Sequence, residues 1–383
     1  MLTIRRRVFL NGLIGLIALL STISFIPRPL LAEELPKQLS DEAFWRLVTE
    51  FSEPGGYFRS DNFVSNELMF QYVIADLKKN TKPDGVYLGV GPDQNFTYII
   101  ALQPKMAIIF DIRRQNMLQH LMYKALIELS EDRAEFLSRL FSRKRPSDIG
   151  PKSSAEELFN AFDQVDPDRE FFAYNLQAVK TQLTEKHHFT LNREDQQGIE
   201  YVLKAFYAAG PELNYNGVGG ANFGGRGRMP SYGELMILTD GEGTNRSYMG
   251  SEENFRILQD LQNRNLIVPV VGDFAGAKAI RTVGDYLKAH SAVVTAFYLS
   301  NVEQYLFQQS DDWNRFYNNV GTLPVDPTGT FIRSIFNNNI IFTNQSNALN
   351  LRSASVLSSI PGLLKAYSAG GIQSYNDVIQ MSR

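Results

Sequence analysis

Apolar residues recur along the chain with two kinds of spacing, and the alternation between them predicts the architecture. Phe44, Leu47, Val48 and Phe51 fall on one helical face, and Glu53-Pro54-Gly55-Gly56 ends that helix. A second helical stretch is predicted over 61–79, apolar at Leu68, Tyr72, Val73 and Leu77. Short continuous apolar runs follow at Val86-Tyr87-Leu88-Gly89-Val90-Gly91 and at Met106-Ala107-Ile108-Ile109-Phe110-Asp111, with a helix predicted over 95–102 between them. Strand, helix, strand in that order predicts parallel pairing, because parallel neighbours need a crossover connection. A long helix is predicted over 115–141 and further helices over 154–209. The alternation then resumes, with strands over 234–240, 266–271, 292–299 and 331–336. Ser251 caps one intervening helix and 277–290 forms another. Six strands predict an α/β fold with one doubly wound, mainly parallel sheet, carrying a helical insertion between its second and third strands.

The segments outside this pattern set the expected boundaries. Residues 1–32 have the layout of a secretory signal: Arg5, Arg6 and Arg7, then an uncharged stretch over 8–27, then Arg28, Pro29 and the small residue Ala32. The apolar centre over 12–26 is shorter than the ~17–25 residues a spanning helix needs. Arg6-Arg7-Val8-Phe9-Leu10-Asn11 resembles the twin-arginine pattern, which implies the twin-arginine export machinery as a partner and an exported, periplasmic or extracytoplasmic location. The alternative is a membrane anchor formed by the same segment. The remaining divisions are an N-terminal helical segment over 33–80, a Rossmann-like domain over 81–345 and a C-terminal helical tail over 346–383. The insertion, over about 142–231, is helical and Gly-rich. Its end, 217–230, holds six glycines with Arg226 and Arg228 and almost no apolar content, so it cannot pack a core.

Composition narrows the chemistry. The chain has 383 residues and a net charge of −3, which carries no nucleic-acid footprint. It has no cysteine, which excludes disulfides, thiolate metal sites and a cysteine nucleophile. His120, His187, His188 and His290 include no pair four residues apart with a neighbouring acid, and no metal site is expected. The serine-nucleophile elbow and the Gly-Lys-Ser/Thr phosphate loop are absent.

The best-formed candidate site is the first strand–helix–strand unit. Gly89 and Gly91 follow a strand and open a helix, where glycine lets a ligand touch the backbone and free N–H groups face it. Asp111 lies 22 residues after Gly89 at the next strand end, where an acid can hold ribose hydroxyls. Gln94 stands where the third glycine of a dinucleotide fingerprint belongs, and Asp93 would repel a pyrophosphate. A ligand with a ribose and a cationic amine but no phosphate fits these residues better, S-adenosylmethionine being one. The alternative is that the glycines merely turn the chain and Asp111 caps a helix. Asp273, after a later strand, could accept from an adenine amino group, or simply form a Gly-Asp turn. Asp240, Glu242 and Asn301 are candidates for acid–base work or for orienting a substrate, and equally for ordinary polar loops. The polar segment 52–67 either folds over the site with Tyr57, Arg59, Asp61 and Asn62 facing a ligand, or is a solvated connector.

Two patches carry a family resemblance. Phe110-Asp111-Ile112-Arg113-Arg114-Gln115-Asn116-Met117-Leu118-Gln119, with Lys124-Ala125 and Phe136-Leu137 downstream, resembles the second-strand region of the S-adenosylmethionine-dependent 3-amino-3-carboxypropyltransferases of betaine-lipid synthesis. Tyr298-Leu299-Ser300-Asn301-Val302 resembles their Leu-Ser-Asn step after a later strand. More broadly, the layout is similar to class I methyltransferases. That resemblance implies a methyltransferase-like fold, a glycine loop at Gly89 and Gly91, Asp111 as ribose acid, Asp273 on the adenine side and a small-molecule or lipid ligand. Tyr87 or Leu88 stands where such loops usually carry an acid, and Pro92 is foreign to them. The mature chain also resembles a family of exported bacterial proteins with Ser-Asp-Asn, Val-Gly-Asp-Phe-Ala-Gly and Phe-Tyr-Leu-Ser-Asn-Val-Glu-Gln-Tyr-Leu blocks, a similarity that implies no activity. Two functions stay open: a transferase of a methyl or aminocarboxypropyl group, or a non-catalytic extracytoplasmic binding or scaffold protein on the same fold.

Overall fold

A computed structural model of the chain describes residues 33–217, 229–336 and 353–382. The predicted signal over 1–32 and most of the glycine-rich stretch lie outside them. Among the described residues, six strands form one mixed, mostly parallel sheet: β1 (Val86–Val90), β2 (Met106–Asp111), β3 (Ile267–Val271), β4 (Val294–Ser300), β5 (Val325–Phe336) and β6 (Ser353–Ser359). Their order is β3-β2-β1-β4-β5-β6, parallel throughout except for β5 with β6. β1, β2 and β3 are buried at every position, which is why they read as unbroken apolar runs instead of alternating ones. Pro269 lies in β3, an edge strand, where a missing N–H is tolerated. The exposed side of that edge is partly covered, because Val271 N–H donates to Ser52 Oγ at 3.0 Å and Glu53 N–H donates to the Val271 carbonyl at 3.0 Å.

Helix α1 (Asp41–Phe51) starts where Ser40 accepts from Ala43 N–H, and it buries Phe44, Leu47, Val48 and Phe51. Of the helix predicted over 61–79, only α2 (Ile74–Asn80) forms. The earlier residues instead follow turns, with Asn62 at φ 50°. α3 (Gln94–Leu102) connects β1 to β2. The single helix predicted over 115–141 is two, α4 (Arg114–Glu128) and α5 (Arg133–Phe141). Asp132 accepts from Glu135 N–H and so starts a new helix, which the apolar spacing alone does not reveal.

Between β2 and β3 the chain continues through α6 (Ala155–Asp163), α7 (Arg169–Thr181), α8 (Arg193–Ala209), α9 (Tyr232–Ile237) and α10 (Glu252–Asn263). α9 corrects the strand predicted over 234–240. Ser231 and Glu234 form a capping box, and a four-residue apolar run cannot by its period distinguish strand from buried helix.

α11 (Ala279–Ala289) connects β3 to β4, and α12 (Val302–Leu306) and α13 (Asp312–Val320) follow β4. Of the tail expected to be helical over 346–383, the described residues begin with the strand β6, which pairs with β5, before α14 (Ile360–Ser368) and α15 (Tyr375–Gln380). Its serine-rich sequence has too little apolar content to read as a strand. Among the described residues no helix is long and apolar enough to cross a membrane.

Candidate functional site

The turn between β1 and α3 is built by Asn95. Its amide donates to the carbonyls of Val90 (2.8 Å) and Pro92 (2.7 Å), and its oxygen accepts from Tyr87 OH at 2.9 Å. A Cβ on Gly89 would lie 1.9 Å from that oxygen, so Gly89 makes room for Asn95 and takes no place in the cavity wall. Gly91, at φ 76°, makes the turn itself and has open space before it: a Cβ there would meet nothing nearer than Asn62 Nδ2, at 3.6 Å.

Beyond this turn lies a cavity of about 390 Å³, in the size range of small-molecule sites. It opens at the carboxyl ends of four strands: Gly91 after β1, Asp111 ending β2, Asp273 after β3, and Asn301 after β4 all line it. The polar segment before β1 supplies a wall, through Tyr57, Asn62 and Glu67 among others. Arg59 and Asp61 of the same segment are not in the lining. The Asp61 carboxylate accepts from Tyr201 OH at 3.0 Å.

Arg113 grips Asp111. Its Nε donates to Oδ1 at 2.9 Å, its Nη2 to Oδ2 at 2.7 Å, and its backbone N–H to Oδ1 at 2.9 Å. Three of the roughly four acceptor positions of the carboxylate are therefore filled, leaving one on Oδ2. The Arg113 Nη1 also donates to the carbonyls of Ser60 and Asp61, which fixes the cavity wall to β2. Asp273 is partly exposed. Its Oδ1 accepts from Ala275 N–H at 2.9 Å, and its backbone N–H donates to Glu53 Oε1 at 2.6 Å. The Asn301 amide donates to Gln304 Oε1 at 3.2 Å.

The remaining predicted residues lie elsewhere. Asp93 points into the protein, where Tyr248 OH donates to its Oδ2 at 2.9 Å. Burial pushes its carboxyl up to about 7, against the lowering effect of Tyr248. His120 Nε2 is 2.8 Å from the Gly91 carbonyl, and burial drives that imidazole down to about 4. Asp240 follows helix α9 and not a strand. Burial raises its pKa, but the backbone N–H groups of Thr244 and Glu242 and the Arg246 side chain outweigh this and hold the carboxyl below its usual value. Its loop carries Glu242, exposed, and neither residue lines the cavity. Among the described residues no group of three or more His, Cys, Asp or Glu could hold a metal ion.

Glu67 is a site residue that the sequence pattern does not reveal. It is 1% exposed and lies in the cavity wall. Its Oε1 accepts from Tyr298 OH (2.8 Å) and Ser300 Oγ (2.5 Å), and its Oε2 from Gln94 Nε2 (2.6 Å). Its local signal is limited to a place in a polar stretch before the first strand. The aromatic residues Tyr215, Phe274 and Tyr305 complete the cavity's sides; Phe274 and Tyr305 lie in the Val-Gly-Asp-Phe-Ala-Gly and Phe-Tyr-Leu-Ser-Asn-Val-Glu-Gln-Tyr-Leu blocks, and Tyr215 in neither.

No curated protein matches the chain. Residues 62–359, which hold every described strand and the cavity walls from Asn62 onward, match the family described as Domain of unknown function (DUF7790), and the chain belongs to that family.

Proposed function

We propose that the cavity is the ligand site of a Rossmann-like, doubly wound domain that binds S-adenosylmethionine and transfers its methyl or aminocarboxypropyl group. The observation that carries this reading is the convergence of Gly91, Asp111, Asp273 and Asn301, from four separate strand ends, on one cavity. The strand order supports it, since β1 lies between β2 and β4, where a parallel sheet of this order changes direction and ligands bind.

The residues fit the ligand in part. The free position on Asp111 Oδ2 accepts one ribose hydroxyl, the open backbone at Gly91 admits close approach, and Asp273 has an oxygen left for an adenine amino group. Asn301 orients the acceptor. The ligand supplies an activated carbon, and the protein's share is to hold the acceptor against it. Asp240 and Glu242 have no part in this reading, because neither reaches the cavity. Export through the N-terminal segment belongs to the same proposal and rests on the sequence pattern alone.

One observation favours the second reading, a non-catalytic binding or scaffold protein: Arg113 already fills most of Asp111. Calorimetry of the full chain with S-adenosylhomocysteine separates them. Saturable binding, weakened about tenfold or more by Asp273→Asn, supports the transferase site. Absence of heat with both S-adenosylmethionine and S-adenosylhomocysteine removes it.

A further inference from the structure

The cavity is acidic at its inner wall and aromatic around its sides. Its charged residues are Glu67, Asp111, Asp273 and Arg113, and Arg113 is committed to Asp111 and to two backbone carbonyls. Glu67 is different from the other two acids. It is buried, each of its oxygens accepts from neutral donors, and among the described residues no cationic side chain lies within ion-pair distance of it. A carboxylate taken out of water without a counter-charge is disfavoured, and neutral hydrogen bonds offset only part of that.

The surrounding structure holds Glu67 in this position at further cost. Ser300, whose hydroxyl donates to it, has φ 49°, a left-handed conformation unfavourable for any residue but glycine. The pairing of β4 with β5 also shifts register between Tyr298 and Ser300, the two residues that donate to Glu67 Oε1, and such an irregularity re-aims side chains at a strand end. Tyr57, Tyr215, Tyr298 and Tyr305 line the same space. Aromatic faces attract a cation that has been stripped of water.

We infer that Glu67, with Tyr298 and Ser300 as its positioning residues, forms a subsite for the cationic end of a small-molecule ligand, an ammonium or sulfonium group carried on an apolar body. The inference rests on the reading of this cavity as the ligand site, but not on the nucleoside half of that reading. The ligand's charge supplies a counter-ion that no described side chain gives Glu67, while the tyrosine rings surround its methyl or methylene groups.

The test uses the full chain and a pair of probes of the same shape, choline and its uncharged isostere 3,3-dimethylbutan-1-ol, in calorimetry and thermal melting. Choline is expected to bind and the isostere to bind about tenfold or more weakly, and Glu67→Gln to remove that preference. Equal binding of the two probes, or no choline binding, overturns the inference. That comparison needs no variant, so it stands if Glu67→Gln fails to fold. If choline is preferred while S-adenosylmethionine and S-adenosylhomocysteine give no heat, the cation subsite holds and the nucleoside reading falls. If S-adenosylhomocysteine binds while the two probes are indistinguishable, the reverse is true.

Discussion

Gly89 and Gly91 flank a single residue, yet alanine has a different cost at each. At Gly89 a Cβ would collide with Asn95, which four hydrogen bonds hold in place. Gly89→Ala is expected to cost about 3 kcal/mol, at the upper end of overpacking effects, and to lower the urea midpoint without changing the slope. At Gly91 there is room, and Gly91→Ala should cost about 1–2 kcal/mol through its positive φ alone. Beneath the same turn, Asp93 and His120 make opposite contributions to the pH dependence of stability. The Asp93 carboxyl rises from 3.8 to about 7, so the folded protein keeps a proton the unfolded chain has lost, and stability falls as pH rises through that window. The His120 imidazole falls from 6.5 to about 4, so the unfolded chain binds a proton the folded protein refuses, and stability rises with pH between those values. The two slopes, each about 1.4 kcal/mol per pH unit, largely cancel between pH 4 and 6.5. Asp93→Asn should expose the rising slope and His120→Asn the falling one, in urea unfolding measured across this range. A flat profile in both variants would contradict the account. The strand-end places of Gly91 and Asp111 are legible in sequence because local elements set them, whereas Gly89, read together with them, makes room for Asn95 and does not line the cavity. Asp93 is not legible, because the hydroxyl that draws it inward belongs to Tyr248, 155 residues away, and Glu67 is hidden because Tyr298 and Ser300 are 231 and 233 residues away.

Elements whose apolar run is long or unbroken are the ones the chain announces. β1, β2, β3 and β4 are central or covered, so burial on both faces writes them as continuous runs, whereas β6 is a serine-rich edge strand and β5 extends before its apolar part. The stretch at 235–238 is short, apolar and decided by the cap before it, which is why its pattern suggests a strand and it folds into α9. A buried ion pair ties the β5–β6 ladder to α12. Arg333 on β5 donates to both oxygens of Glu303 on α12, with Nη2 at 3.0 Å from Oε1, and also to Ser358 Oγ on β6. Tyr317 OH donates to the same Glu303 oxygen at 2.6 Å. Glu303→Ala leaves a buried guanidinium without its counter-charge and is expected to cost about 3–5 kcal/mol. The apolar pair Glu303→Leu with Arg333→Met should recover most of that loss, because neither charge is then left alone. Equal destabilisation by the single and double variants, in denaturant titration, would show that the pair's shape and not its charge balance holds the edge.

At the scale of the whole molecule, the export proposed from the N-terminal sequence and the ligand proposed for the cavity make opposing demands. S-adenosylmethionine is made in the cytoplasm, and an exported enzyme would have no supply of it. The twin-arginine resemblance offers a resolution, because that route carries proteins already folded. A domain that folds first can bind its ligand first. Occupancy then depends on dissociation and not on equilibrium with an outside pool, and a cavity walled by the Arg113-fixed segment slows exchange only if ligand contacts are many. Two measurements follow from this. In fractionated cells the full chain should appear outside the cytoplasm, and Arg6→Lys with Arg7→Lys should retain it inside. Native protein from both fractions should then be denatured and its released small molecules weighed by mass spectrometry. An adenine nucleoside in both fractions supports loading before export. A nucleoside in the retained variant alone means that the ligand is lost on export, leaving a working transferase only in the cytoplasm. A cation without adenine in the exported protein supports the Glu67 subsite and reassigns the domain to binding.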